Sequence, residues 1–187
     1  MPGFTQCENP ATARWRGRLA VITGVLVAGL LLAPEPAVSI DERRLAFYHT
    51  HTAKRLDVVY ARGGEYLESA LDDVERFLSD FRTGERKTID PELLDFLYEV
   101  RESLGSNGTF EVISAYRSPQ TNEMLRQQGG GVAKTSQHMI GKAIDVRLRD
   151  VPVERLRDAA IAMQRGGVGY YEASNFVHLD TGPVRSW

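Results

Sequence analysis

Two cap-and-proline pairs, Asp90-Pro91 and Ser118-Pro119, fix where helices begin in this chain. An Asp or Ser side chain accepts from the orphan N–H groups of a first helical turn, and a proline at the next position needs no N–H there. The first pair opens an amphipathic helix, PELLDFLYEVRESL, which Gly105 stops. The second opens a helix running to about Gln128, where Gly129-Gly130-Gly131 ends it and begins a polar loop. Two more helices follow from pattern. In EYLESALDDVERFLSDF (65–81), Leu67, Leu71, Val74, Phe77 and Leu78 recur on one face. Pro152 to Gln164 reads as a helix closed by Gly166-Gly167.

Between the helices lie β-rich runs. LAFYHTHT (45–52) and RLDVVYARG (55–63) suggest a hairpin turning at Ala53-Lys54. TFEVISAY (109–116) and AIDVRL (143–148) alternate as strands, and VGYY and NFVHLD form a terminal strand pair joined near Ala173-Ser174. The order is hairpin, two helices, strand, helix, strand, helix, strand pair. It predicts an α+β fold: a single domain over residues 40–187, with helices packed on a mainly antiparallel sheet plus the N-terminal hairpin. A net charge of −2 without a basic stripe argues against a nucleic-acid partner.

Residues 1–39 differ from the rest. Arg14, Arg16 and Arg18 precede an uncharged run, Leu19 to Ala33, of signal-peptide length and short for a spanning helix. Ala37-Val38-Ser39 supplies small residues for cleavage after Ser39, but Pro34 and Pro36 make that region imperfect, and the competing reading is an uncleaved N-terminal anchor. Either reading sends the domain out of the cytoplasm, to the periplasm or cell envelope, with any membrane attachment confined to this segment. Cysteine use agrees: the single Cys7 precedes the apolar run, so the exported part carries none and needs no disulfide.

The chemistry concentrates in TSQHMIGKAIDVRL (135–148). His138 precedes Gly141, which permits the tight turn or positive φ that folds the histidine back toward Asp145. Asp145 alternates with apolar residues on a strand, where an unpaired carboxylate costs several kcal/mol. Backbone N–H groups, an arginine or a metal ion would each satisfy it. A third metal donor is available at His178 in FVHLD, and two histidines with one carboxylate form a zinc-hydrolase ligand set.

The pattern Ser136-x-His138-x-x-Gly141-x-Ala143-x-Asp145, followed by His178, resembles the zinc motif of the D-Ala-D-Ala peptidase superfamily. That group includes VanX dipeptidases, zinc D-Ala-D-Ala carboxypeptidases and the zinc fold of hedgehog signalling domains. SAYRSPQTNEML, GVAKTSQHMIGKAIDVRL and RGGVGYYEASNFVHLDTGPVRSW together resemble exported murein endopeptidases of the YcbK/MepK type, over roughly residues 40–187. The resemblance implies Zn2+ held by His138, Asp145 and His178. It also implies Arg117 holding a substrate carboxylate or carbonyl, and peptidoglycan stem-peptide cross-links as substrate, including those between two diaminopimelate residues.

The general base departs from that pattern. VanX-like relatives carry Glu or His shortly before the last zinc histidine, whereas this chain has Asn175 and Phe176 there. Asp180, on the same strand face as His178, is the first candidate, and it has a second reading as the group that hydrogen-bonds a ligand histidine. Glu172 is the next candidate. His49 and His51 read as exposed hairpin residues, with His51 available to a cleft rim, while Arg185 and Trp187 read as closing the core or cleft edge. The expected activity is zinc-dependent murein endopeptidase. The alternatives are a non-catalytic zinc-containing peptidoglycan-binding domain and a zinc D,D-carboxypeptidase.

Overall fold

Among the described residues eight strands form one sheet, which runs from edge to edge as Glu65–Tyr66, Arg55–Arg62, Glu42–His49, Phe110–Ser114, Ala143–Leu148, Phe176–Asp180, Gly167–Tyr171 and Arg185–Ser186. The computed structural model describes residues 41–129 and 132–187. The predicted export segment, residues 1–39, lies outside them. No helix of the described residues is long and apolar enough to cross a membrane.

The predicted hairpin is present as β1 (Glu42–His49) and β2 (Arg55–Arg62), with the turn moved to residues 50–54. It is no appendage. β1 pairs in parallel with β4 (Phe110–Ser114), which places the hairpin inside the main sheet. α1 (Glu68–Phe77) is shorter than its pattern suggested, because Glu65–Tyr66 form β3 and pair with the end of β2. Gly63 and Gly64 make that reversal at φ 59° and 85°.

α2 (Pro91–Ser103) and α3 (Pro119–Gln127) start where the proline pairs required. Asp90 accepts from Glu92 N, and Ser118 accepts from Thr121 N. β5 (Ala143–Leu148), α4 (Val153–Met163), β6 (Gly167–Tyr171) and β7 (Phe176–Asp180) follow. β8 (Arg185–Ser186), which no sequence pattern announced, adds in parallel to β6.

The core joins one face of the sheet to the helices. Leu45 and Phe47 of β1, Phe110 and Val112 of β4, and Ile144, Val146 and Leu148 of β5 cluster with Val74 of α1, Leu93 and Phe96 of α2, and Leu156 of α4. At about 25 cal/mol per Å² of apolar surface, these side chains supply most of the force that closes the domain. Asp145 lies between Ile144 and Val146 in sequence, so alternation turns it out of that core.

Candidate metal centre

Three elements meet at one point. The β5 register sets Asp145 opposite Ser114 of β4 on one side and opposite His178 of β7 on the other. Directly opposed strand residues hold their Cβ atoms about 5 Å apart, so Asp145 and His178 touch. His138 arrives on a short 3-10 helix, Gln137–Ile140, begun by Ser136 accepting from His138 N. The chain then turns at Gly141, φ 73°, where an added Cβ would lie 2.0 Å from the Thr88 carbonyl oxygen. No side chain fits there. The Gly141 carbonyl accepts from Asp90 N at 3.0 Å, which ties the loop to the start of α2.

The donor atoms form a small triangle. His138 Nε2 lies 3.1 Å from His178 Nδ1 and 3.2 Å from Asp145 Oδ1, and His178 Nδ1 lies 2.8 Å from the same oxygen. A tetrahedral ion with bonds of about 2.0–2.1 Å spaces its ligands about 3.3 Å apart, close to these edges. The outer nitrogens settle the tautomers. His138 Nδ1–H donates to the Ala115 carbonyl at 2.7 Å, and His178 Nε2–H donates to Asp180 Oδ2 at 2.9 Å. Both inner nitrogens therefore aim lone pairs at a carboxylate that also has only lone pairs to offer. A bound cation satisfies all three, so the residues fit a metal ion.

At His138 and Asp145 the electrostatics agree with ligand chemistry, while at His178 the two neighbouring carboxylates favour a ring proton that a bound cation would displace. Burial lowers the His138 pKa and keeps that ring neutral. Burial opposes the ionised form of Asp145, yet His138 and His178 hold its carboxyl well below the ordinary carboxylate range. For His178, burial lowers the pKa, but hydrogen bonds to Asp145 and Asp180 outweigh it and raise the value.

Arg117 is buried, donates to Asp145 Oδ2 at 3.3 Å, and has its backbone N–H on the His138 carbonyl. Its Nε has no partner among the described residues. Burial lowers its pKa, Asp145 opposes that, and Arg82 nearby lowers it further.

The centre floors a cavity of about 510 Å³ that also reaches His51, Arg82, Arg117, Tyr171, Arg185 and Trp187. Asp180 does not line it. Its carboxylate is fully buried behind the His178 ring and accepts from Gly167 N, Gly182 N and both terminal nitrogens of Arg185. Burial would raise its pKa, but His178, Gly182 and Arg185 hold it at about 2. Glu172 is exposed on the turn Glu172–Ser174 and does not line the cavity either. Neither candidate base thus faces the space where a substrate would sit.

His49 departs from expectation, being buried against Phe77 and Phe81 on the core side of β1, whereas His51 is exposed at the rim. Trp187 and Arg185 edge the cleft: the Trp187 ring lies 5.3 Å from that of His178 and its Nε1 donates to Tyr171 O–H. Gly169 makes room for it, since a Cβ there would meet the indole at 2.6 Å. Sequence reasoning missed Asp80, Phe81, Arg82 and Tyr171. Asp80 and Phe81 looked like the tail of a helix, with Arg82 just past it, and only long-range contacts bring Arg82 to the cavity.

A three-donor His–Asp–His centre with one side open to a cavity, carried on an α+β sheet, defines a metal site of the open, hydrolase-like kind. Residues 37–187 match the family described as peptidoglycan L,D-endopeptidase MepK. The chain is 38% identical over 176 residues to the peptidoglycan L,D-endopeptidase MepK of Escherichia coli K12, covering 92% of this chain and 96% of that protein. It is 37% identical over 169 residues to a probable peptidoglycan L,D-endopeptidase MepK of Haemophilus influenzae, covering 88% and 91% respectively. The chain belongs to this family.

Proposed function

We propose that the protein is a zinc-dependent murein endopeptidase that cleaves peptidoglycan stem-peptide cross-links in the cell envelope, delivered there by residues 1–39. The carrying observation is the triangle of His138 Nε2, His178 Nδ1 and Asp145 Oδ1 at the floor of an open cavity, with both outer ring nitrogens engaged. Membership in a family whose named relatives are L,D-endopeptidases supplies the substrate class.

Zinc held by His138, Asp145 and His178 would acidify a water and polarise the scissile carbonyl. The chain's own groups do the rest. Ala115 and Asp180 lock the two imidazoles in the ligand tautomer, and Arg185 and Gly182 keep Asp180 ionised for that task. Asp180 is thereby a positioning residue in this reading, not the proton acceptor. Arg117, buried with an unpaired Nε, orients a substrate oxygen beside the centre. His51 is the cavity imidazole outside the ligand set, and we assign proton exchange with the substrate to it.

One observation favours a second reading, a zinc-containing module that binds murein without cleaving it. Among the described cavity residues the only side-chain carboxylate is that of Asp145, a ligand in this reading. The experiment is digestion of cross-linked muropeptides by the full chain, zinc-loaded and chelated, with His138→Ala alongside. Cleavage by the loaded wild type alone supports the enzyme. A fully loaded wild type that retains muropeptides on a column but cleaves none selects the binding module.

A further inference from the structure

His51, in the turn after β1, and Arg82, in the loop after α1, also line the cavity. The half-buried Phe81 ring lies between these two side chains. His51 stacks on it with centroids 4.3 Å apart and planes 11° apart. The Arg82 guanidinium carbon lies 4.2 Å from the same centroid. Two planar groups that close cannot share a face, so Phe81 is sandwiched between an imidazole and a guanidinium.

The other cavity arginines have carboxylate partners: Arg117 has Asp145 and Arg185 has Asp180. Among the described residues the Arg82 guanidinium meets no carboxylate; the Phe81 face holds it instead. Stacking leaves the in-plane N–H donors free and removes much of the side-chain entropy that binding would otherwise cost.

The backbone of Arg82 is also fixed. Asp80, buried to 1% exposure, accepts from Arg82 N through Oδ1 and from Ser118 N through Oδ2, each at 2.9 Å. Ser118 directly follows Arg117. One buried carboxylate thus holds in register the two segments that carry Arg82 and Arg117. A further link, Tyr116 N to the Leu78 carbonyl at 3.2 Å, keeps the same segments together.

Resting on the murein-endopeptidase reading above, we infer that Arg82 is a carboxylate-binding subsite that takes the free carboxylate at the far end of a diaminopimelate side chain. Arg117 already reaches the metal ligands, so it serves groups next to the scissile bond. Arg82 lines the same cavity from the loop after α1 and touches none of the three metal-site residues, so it serves a carboxylate several bonds away. A diaminopimelate side chain carries a second carboxylate at its far end, which suits a second arginine in the same cavity. The cavity lining supports an anionic ligand, since Arg82, Arg117 and Arg185 face it against the single carboxylate of Asp145.

The test compares two cross-linked muropeptides, one with that carboxylate free and one with it amidated, cleaved by the zinc-loaded full chain. Wild type should prefer the free acid by about ten- to a hundredfold in kcat/KM, the scale of a charge-assisted hydrogen bond, expressed mainly in KM. In Arg82→Ala the acid-to-amide ratio should collapse toward one with zinc content unchanged, and Arg82→Lys should recover part of it. A ratio in Arg82→Ala equal to that of wild type overturns the subsite. So does a wild type that cleaves both substrates equally well, although the endopeptidase reading survives it. A loaded wild type that cleaves neither substrate overturns both.

Discussion

Asp95 of α2 and Asp145 of β5 are both buried carboxylates, and their surroundings differ in kind. Asp95 is surrounded by donors: Arg43 at 2.7 Å, Tyr60 O–H at 2.9 Å and Tyr66 O–H at 2.6 Å. Asp145 faces two imidazole nitrogens whose protons are engaged elsewhere, and a single arginine at 3.3 Å. Burial costs each group similar desolvation. Saturation by donors marks a carboxylate that holds the fold together, and a ring of acceptors marks one that waits for a cation. Asp180 belongs with Asp95 by this criterion, because four donors besides the His178 ring close it off.

The largest effect should separate the two carboxylates. Asp145→Asn or His138→Ala should lose bound zinc and about a thousandfold or more in cleavage, read by metal analysis and muropeptide digestion. Normal zinc content in either would remove that residue from the ligand set. Asp180→Ala comes next: zinc affinity or activity should fall about 10–100-fold, the cost of losing a partner that orients a ligand. Chelator competition separates its roles, because a proton acceptor would abolish cleavage with affinity unchanged.

Asp95→Asn should act in the opposite sense, lowering unfolding free energy by about 2 kcal/mol in urea while zinc content stays the same. Loss of zinc there would erase the contrast. The smallest effect is a pH dependence. Burial raises the Asp80 pKa, but the Thr121 and Ser118 hydroxyls and the N–H groups of Ser118 and Arg82 hold it at about 2, below its ordinary 3.8. A depressed carboxyl stabilises the fold fully above its unfolded pKa and ceases to as pH falls through the folded one. Wild type should therefore lose about 2 kcal/mol between pH 4 and pH 2 that Asp80→Asn does not lose over that window. Parallel curves for the two proteins would mean that Asp80 carries no such load.

Much of this was legible in the sequence because its cause is local. Asp90-Pro91 and Ser118-Pro119 start helices by satisfying their own first turn. Gly141 takes a positive φ at the bend between His138 and Asp145, and AIDVRL alternates as a strand must. The rest depends on pairing between distant segments. β3 and β8 are two residues each and have no periodicity to read. The parallel pairing of β1 with β4 buried His49 against Phe77 and left His51 on the rim, a distinction that H-x-H spacing cannot make. Asp180 shares a strand face with His178, as alternation requires, but only Gly167, Gly182 and Arg185 around it show that its oxygens are taken.

The claim that most of the account depends on is that His138, Asp145 and His178 hold one ion. Anomalous diffraction at the zinc edge, on crystals of the zinc-loaded full chain, tests it directly. The account predicts a single strong peak about 2.0–2.2 Å from His138 Nε2, His178 Nδ1 and an Asp145 oxygen, with the fourth direction open to the cavity. A loaded protein whose peak lies elsewhere, or whose ion is bound through Asp180, would contradict it.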